Sequence, residues 1–295
     1  MRYKKSNRLE QSLSGAKFSV SKKKKNLIFK KIVMFNNLNG KQRILLNLSK
    51  QNRLASSPKL PKPFFSVKAE KIIKKNCVIL EMPFVHGLSG SEIIINSQKQ
   101  NLESLIKSFK DLILLFKSIK IHGHKNFKMK AREKISQLED LDFNKKYTNY
   151  FKFLRYQLER TDFNIYETMC HGDLTFSNII ITSSSNFSID YKNNKFFLID
   201  WLDTYFNSYL QDLAKLKQEL FYGWSSRYIS SSQKLNNLIT GEYIWKKLFD
   251  HFISDKNKLL FKIIMVLCIL RIFPYAKTEI DISWIDKVLE MELEE

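Results

Sequence analysis

The stretch Cys170-His171-Gly172-Asp173-Leu174-Thr175-Phe176-Ser177-Asn178-Ile179-Ile180 holds the residues best spaced to do chemistry. It presents a carboxylate, Asp173, and five residues later an amide oxygen, that of Asn178. Further on, the apolar run Phe196-Phe197-Leu198-Ile199 ends in a second carboxylate, Asp200. Phosphoryl transfer needs such a set. One carboxylate orients or deprotonates a hydroxyl, while an Asn and another carboxylate hold Mg²⁺ on the phosphates. Mg²⁺ takes oxygen ligands and commonly only one or two protein carboxylates, with phosphate and water completing its shell. A His-x-Asp triplet alone says little. The full spacing, closed by an apolar strand ending in Asp, is specific.

The elements that must position these residues follow from periodicity. Phe18 to Ser21 alternates, Lys22–Asn26 reads as a polar turn, and Leu27–Phe35 is a β-rich run. Lys41 to Arg53 carries Ile44, Leu45 and Leu48 at helical spacing, and Pro58, Pro61 and Pro63 then break the chain. Cys77–Val85 reads as another strand. Leu102, Leu105, Ile106, Phe109, Leu112, Ile113 and Phe116 form one apolar helical face, and a second helix fits Tyr147 to Leu158. Two short strands, Ile179–Thr182 and Phe196–Ile199, flank a Ser/Asn-rich turn, and helices run from Tyr209 onward. Strands first and helices later predict an α+β chain in two lobes, residues 1–85 and 86–295.

HGDLTFSN followed by LIDW resembles the catalytic and metal motifs of the aminoglycoside phosphotransferase and choline kinase family, small-molecule relatives of protein kinases. The similarity continues through Asp212-Leu213-Ala214-Lys215-Leu216 and, more weakly, over the first 85 residues as an ATP-binding lobe. The resemblance implies a protein-kinase-like fold, ATP and Mg²⁺ as cofactors, and a small hydroxyl-bearing acceptor, with an intracellular sugar or cell-surface precursor preferred. It makes Asp173 the catalytic base, Asn178 and Asp200 the metal ligands, and His171 a structural residue of the loop.

The same resemblance requires a nucleotide lysine on a strand of the first lobe. Lys30 and Lys31 are both available, and alternation sends them to opposite faces. Lys31 is preferred, since Phe29 and Lys31 would then line the nucleotide side while Ile28 packs behind. Gly15, in Leu13-Ser14-Gly15-Ala16-Lys17, offers a loop whose N–H groups could cover phosphates. Met82, Phe84 and Val85 match the segment that receives adenine. Kinases pair the lysine with a helix glutamate, yet no acidic residue lies between Asn36 and Lys68, where Gln51 is the nearest hydrogen-bonding substitute.

Charge is unevenly placed. Residues 1–75 hold 21 Lys/Arg against Glu10 and Glu70, for +19, whereas residues 76–295 hold 29 against 27, for +2. This admits a polyanionic partner at the first lobe, or simply a solvated Lys-rich surface. Three well-separated cysteines argue for a reducing cytoplasmic setting and against structural zinc. The apolar run Leu259–Phe273 is shorter than a membrane span and reads as a buried helix. His122 and His124 lack a third ligand nearby. Asp203 could touch metal or substrate, or begin the next helix. Arg271 closes the last apolar helix, where a cation is favoured, and could also face an anionic substrate. Two other classes compete with a small-molecule kinase. One is a kinase working on or with a macromolecule, like the atypical kinases of tRNA modification, which carry DFG where this chain has Asp200-Trp201-Leu202. The other is a catalytically silent nucleotide-binding regulator.

Overall fold

The computed structural model describes residues 16–23, 26–34, 38–55, 60–90, 99–121, 126–163, 165–182, 194–229 and 231–294. Gly15, Lys24, Lys25, His122 and His124 lie outside them. The chain divides into two compact units, Met1–Lys59 with Ser66–His86, and Leu60–Phe65 with Gly87–Glu295.

The first unit is an antiparallel sheet with one helix. Strands β1 (Lys17–Lys23), β2 (Asn26–Met34), β4 (Glu70–Ile73) and β5 (Cys77–Pro83) lie in the order β1-β2-β5-β4. Lys22 and Lys23 were expected in a turn but continue β1, pairing with Leu27 and Asn26. A lysine at a sheet edge keeps its ammonium in water, so strand pairing overrides the polar composition. On β5, Val78, Leu80 and Met82 are buried, and helix α1 (Leu38–Ala55) packs against this strand. The helix turns Ile44, Leu48 and Leu54 inward, the three-and-four spacing read from its sequence. Asn52 fixes the next segment by exchanging hydrogen bonds of 2.8 Å with the Ala69 backbone N–H and carbonyl.

The second unit opens with a smaller sheet of β3 (Phe64–Ser66), β8 (Phe196–Leu198), β7 (Ile179–Ile181) and β6 (Leu88–Ser89), in that order. The motif from Cys170 to Asn178 leads directly into β7, which pairs with β8, and Phe64 packs edge-on against Phe109 and Phe196. Helix α2 (Lys99–Ser118) buries every residue of its anticipated apolar face, from Leu102 to Phe116. Then follow α3 (Phe127–Glu139), α4 (Thr148–Arg160), α5 (Tyr209–Leu220), α6 (Ser231–Phe252), α7 (Asp255–Leu270) and α8 (Glu279–Glu294). Among the described residues no helix is long and apolar enough to cross a membrane. The apolar α7 is buried inside the bundle instead.

Helix α5 is the hub, buried around nearly its whole circumference, capped at Ser208 and packed against α2, α6 and α7. Two polar ties hold the C-terminal helix to it. Lys217 pairs with Glu292 at 2.8 Å, both buried, and Tyr222 Oη donates to the same carboxylate at 2.7 Å. At the far end of α8, Asp281 accepts from Arg227 Nε at 2.8 Å, Tyr228 Oη at 2.6 Å and the Lys277 N–H at 3.2 Å. Burial pushes the Asp281 pKa up, but the Tyr228 and Arg227 hydrogen bonds outweigh it and bring the value to about 2. The folded value lies below the unfolded one. The stabilisation is therefore complete above about pH 4 and lost as pH falls toward about 2, on the order of 2 kcal/mol. Acid unfolding followed by circular dichroism should show this, with Asp281→Asn less stable at pH 7 and flatter between pH 4 and 2. A variant with the wild-type pH dependence would show that Asp281 carries no such linkage.

Candidate active site

The loop between Met169 and β7 is held by one buried carboxylate. Asp212, in the first turn of α5, accepts from the His171 N–H at 2.6 Å and the Gly172 N–H at 2.7 Å. The His171 ring is fully buried, lies 4.5 Å from Trp201, and bonds Ile199 O through Nε2 at 2.8 Å. A carbonyl only accepts, so Nε2 carries the proton. Nδ1 then accepts the Asp173 N–H at 3.3 Å, and the ring is neutral. The loop also reaches the chain beyond β8, where Leu202 N–H donates to His171 O at 2.9 Å.

Gly172 cannot be another residue without distortion. Its φ is +88°, and a Cβ built there would sit 2.2 Å from Leu202 O. Asp200 also adopts a left-handed backbone, φ +59°, although it has a side chain. Such a conformation is costly outside glycine and persists where the surroundings over-determine it.

Asp173 sits at the surface end of this frame, its side chain 28% exposed. Asn178, in the single turn Phe176–Asn178 before β7, donates through Nδ2 to Asp173 O at 2.8 Å and to Oδ2 at 2.9 Å. Asn178 N–H also bonds Thr175 O, and Ile199 N–H bonds Asn178 O, both near 3 Å as 3.1 and 3.0 Å. Lys215 Nζ lies 3.3 Å from Asp173 Oδ1 and donates to Gln218 Oε1 at 3.0 Å. Burial raises the Asp173 pKa, but neighbouring charge outweighs it and the carboxyl is held below the ordinary carboxylate range. With His171 neutral, the responsible cations are Lys215 and Arg271. Asp173 is thus ionised at neutral pH, as a proton-accepting or hydroxyl-orienting group must be.

Could the residues hold a metal? Among the described residues no group of three His, Cys, Asp or Glu could hold an ion alone. The smaller oxygen set fits Mg²⁺ better. The Asn178 amide nitrogen is spent on Asp173, so Oδ1 would be its ligating atom, and Asp200, two residues beyond β8, would supply the carboxylate. Asp203 accepts from Asn207 Nδ2 at 2.7 Å, and the next helix starts at Tyr209 under its own Ser208 cap, so Asp203 caps no helix.

In the first unit the two candidate lysines face opposite ways. Lys30 stands opposite Glu81 on β5 and pairs with it at 2.8 Å, holding the Glu81 carboxyl below its ordinary value. Lys31 stands opposite Leu80, on the face of Phe29, Met82 and the buried alternates, with Nζ 5.9 Å from the Phe18 ring centre. Gln51 is buried and donates its amide nitrogen to Val67 O at 2.6 Å. Met82 is inside the β2–β5 ladder, Phe84 N–H bonds Leu27 O at 3.0 Å, and Val85 follows beyond the last pair. Lys215 and Glu81 escaped the sequence reading. Lys215 had a signal, since it stands three residues after Asp212 on the same helical face.

No protein-family model and no curated protein matches the chain. Solved structures do match. A putative fructosamine-3-kinase from Haemophilus somnus shares 12% identity over 96% of this chain and 89% of its own, with a TM-score of 0.56. A thermostable mutant aminoglycoside phosphotransferase, in ternary complex with AMP-PNP and hygromycin B, shares 9% over 95% and 90%, with a TM-score of 0.58. An aminoglycoside 2'-phosphotransferase with GDP shares 11% over 94% and 90%, with a TM-score of 0.53. The chain therefore has the protein-kinase-like fold of small-molecule phosphotransferases, the α+β architecture anticipated from its sequence. The matches lend no support to a polyanionic partner. Gly172→Ala should lower the thermal midpoint, with a cost on the order of 2 kcal/mol or more, because backbone must move to admit the methyl group. An unchanged midpoint would mean that the loop is not held against Leu202.

Proposed function

We propose that this chain is an ATP-dependent phosphotransferase that moves the γ-phosphoryl group to a hydroxyl of a small molecule. The observation that carries this reading is the ionised, partly exposed Asp173, fixed by Asn178 and Lys215 on a loop that Asp212 anchors. The matching folds with AMP-PNP or GDP and with an aminoglycoside support a nucleotide and a hydroxyl acceptor. Asp173 accepts a hydrogen bond from the acceptor hydroxyl and takes its proton as the oxygen bonds to the γ-phosphorus and the bond to ADP breaks. Its low pKa favours orientation of the hydroxyl and late proton transfer. Asn178 Oδ1 and the Asp200 carboxylate would hold Mg²⁺, which supplies charge neutralisation on the phosphates. Lys31 is the candidate for the phosphates, because it shares a face of the sheet with Phe29 and Met82. Phe84 and Val85, with Met82 behind them, are the candidate adenine contacts, and Gly15 remains a candidate phosphate cover. A sugar or cell-surface precursor acceptor, and a cytoplasmic setting, belong to the same proposal.

The chemistry is tested by comparing two variants. Asp173→Asn should cut ADP release with acceptor by roughly 10²–10⁴-fold while leaving ATP affinity nearly unchanged. Asp200→Ala should weaken nucleotide binding far more with Mg²⁺ than without. Full turnover in Asp173→Asn, or equal losses with and without the ion in Asp200→Ala, would remove the kinase assignment of these residues. The lysines are separated by replacing each with Met. Lys31→Met should raise the ATP KM sharply, and Lys30→Met should mainly lower stability by leaving Glu81 with Lys23 alone, 3.5 Å away. The reverse pattern would move the nucleotide to the other face of the sheet.

A further inference from the structure

Three buried polar atoms have no hydrogen-bond partner among the described residues and belong to residues linked to the Asp173 surroundings: Arg271 Nη1, whose charge acts on Asp173, with Tyr205 Oη and Gln211 Nε2, which neighbour one another and Arg271. Buried polar atoms are nearly always paired, so a cluster of orphans points to something that completes it. Helix geometry explains why they meet. Gln211 and Lys215 stand one turn apart on α5, and Cys268 and Arg271 stand three residues apart at the end of α7. Cys268 Sγ donates to Gln211 Oε1 at 3.1 Å and ties the two rows together. Lys215 closes the circuit on Asp173 Oδ1.

Gln211 lies beside the Tyr205 hydroxyl and interacts with it, although the pair falls short of full hydrogen-bond geometry. Burial pushes the Tyr205 pKa well up, so the hydroxyl keeps its proton and can donate. Gln211 and Lys215 form a buried floor, whereas Asp173, Tyr205 and Arg271 are half-buried, with Tyr205 Oη and Arg271 Nη1 turned inward. Every orphan can donate, and two cations stand among them. The missing partner is therefore rich in acceptor oxygens and negatively charged.

Building on the phosphotransferase reading, we propose that Arg271, Tyr205 and Gln211, with Lys215, form an anion subsite for the acceptor. The molecule that offers its hydroxyl to Asp173 then carries a carboxylate or phosphate as well, as an anionic sugar or polyol does. The guanidinium fork suits an oxyanion, and the two cations repel the ammonium groups of an amino sugar.

Binding and turnover are measured separately. Glucuronate and glucose 6-phosphate are titrated calorimetrically into the full chain without nucleotide, and ADP release is followed with these two, with glucose and with kanamycin. Wild type should bind at least one anionic sugar, glucuronate indicating a carboxylate and glucose 6-phosphate a phosphate. Arg271→Gln should weaken that binding roughly 10- to 100-fold, with an unchanged ATP KM and partial recovery in Arg271→Lys. Should Arg271→Gln fail to fold, Tyr205→Phe supplies a second variant for the same titration, with a smaller loss expected. Wild-type chain that binds neither anion, or variants that bind them undiminished, would overturn the subsite. Turnover of glucose or kanamycin in that case leaves the phosphotransferase reading standing. Anion binding that Arg271→Gln abolishes, without ADP release from any acceptor, supports the subsite and counts against the transfer reaction alone.

Discussion

The second unit depends on the buried Asp212 carboxylate more than on any other single group. Its two oxygens accept the consecutive N–H groups of His171 and Gly172, and it stands in the first turn of α5, where a negative charge is favoured. A buried carboxylate is costly unless its charge is met by such donors, so loop and helix order together or not at all. The left-handed glycine follows from this. Only that backbone turn sets two successive N–H groups on one carboxylate while passing Leu202 O closely enough to exclude a Cβ. From the anchored His171, hydrogen bonds to Ile199 and from Leu202 fix the chain on either side of Asp200. The loop carboxylate and the strand-end carboxylate thus share one hydrogen-bonded frame.

What could be read from the sequence was whatever had a period or a fixed spacing. The apolar face of α2, the inward residues of α1 and the burial of α7 follow from three-and-four spacing alone. Strand runs at β2, β5, β7 and β8 were legible as apolar, β-rich runs between turn residues. β3, directly after Pro61 and Pro63, and the exposed β4 offered no such signal, and they pair with the edges that β8 and β5 provide. Lys22 and Lys23 misled because composition suggested a turn where cross-strand pairing prolonged a strand. At the candidate site, Asp173, Asn178 and Asp200 announced themselves by spacing. Lys215, Tyr205 and Gln211 did not, because their meeting depends on how α5 and α7 pack, and no local pattern encodes a helix crossing.

The unusual N-terminal charge distribution has a structural counterpart. The helix α1 carries no acid, and the acid that meets a β2 lysine comes from the neighbouring strand. Cross-strand partners share a face, so Glu81 can serve Lys30 but not Lys31. An ion pair across a sheet differs from a helix-to-strand pair in one respect. It is fixed by register and does not depend on where the helix sits, so moving α1 would leave the Lys30–Glu81 contact intact.

The charges around Asp173 also constrain the chemistry. Burial alone would make this carboxyl a stronger base, and two cations reverse the effect. A base weakened in this way gives up driving force for early proton abstraction. In exchange it keeps its charge over a wide pH range and orients a hydroxyl firmly. That trade suits a loose transition state, in which the attacking oxygen bonds late and needs little help losing its proton. The same cations can also stabilise negative charge on the phosphoryl group and on an anionic acceptor, provided water is displaced from between them. Under the proposed function Lys215, in contact with Asp173, would do the first and Arg271, which has a donor without a partner among the described residues, the second. Splitting the two duties between α5 and the end of α7 would let the acceptor be recognised by one helix while the proton is received on a loop held by the other.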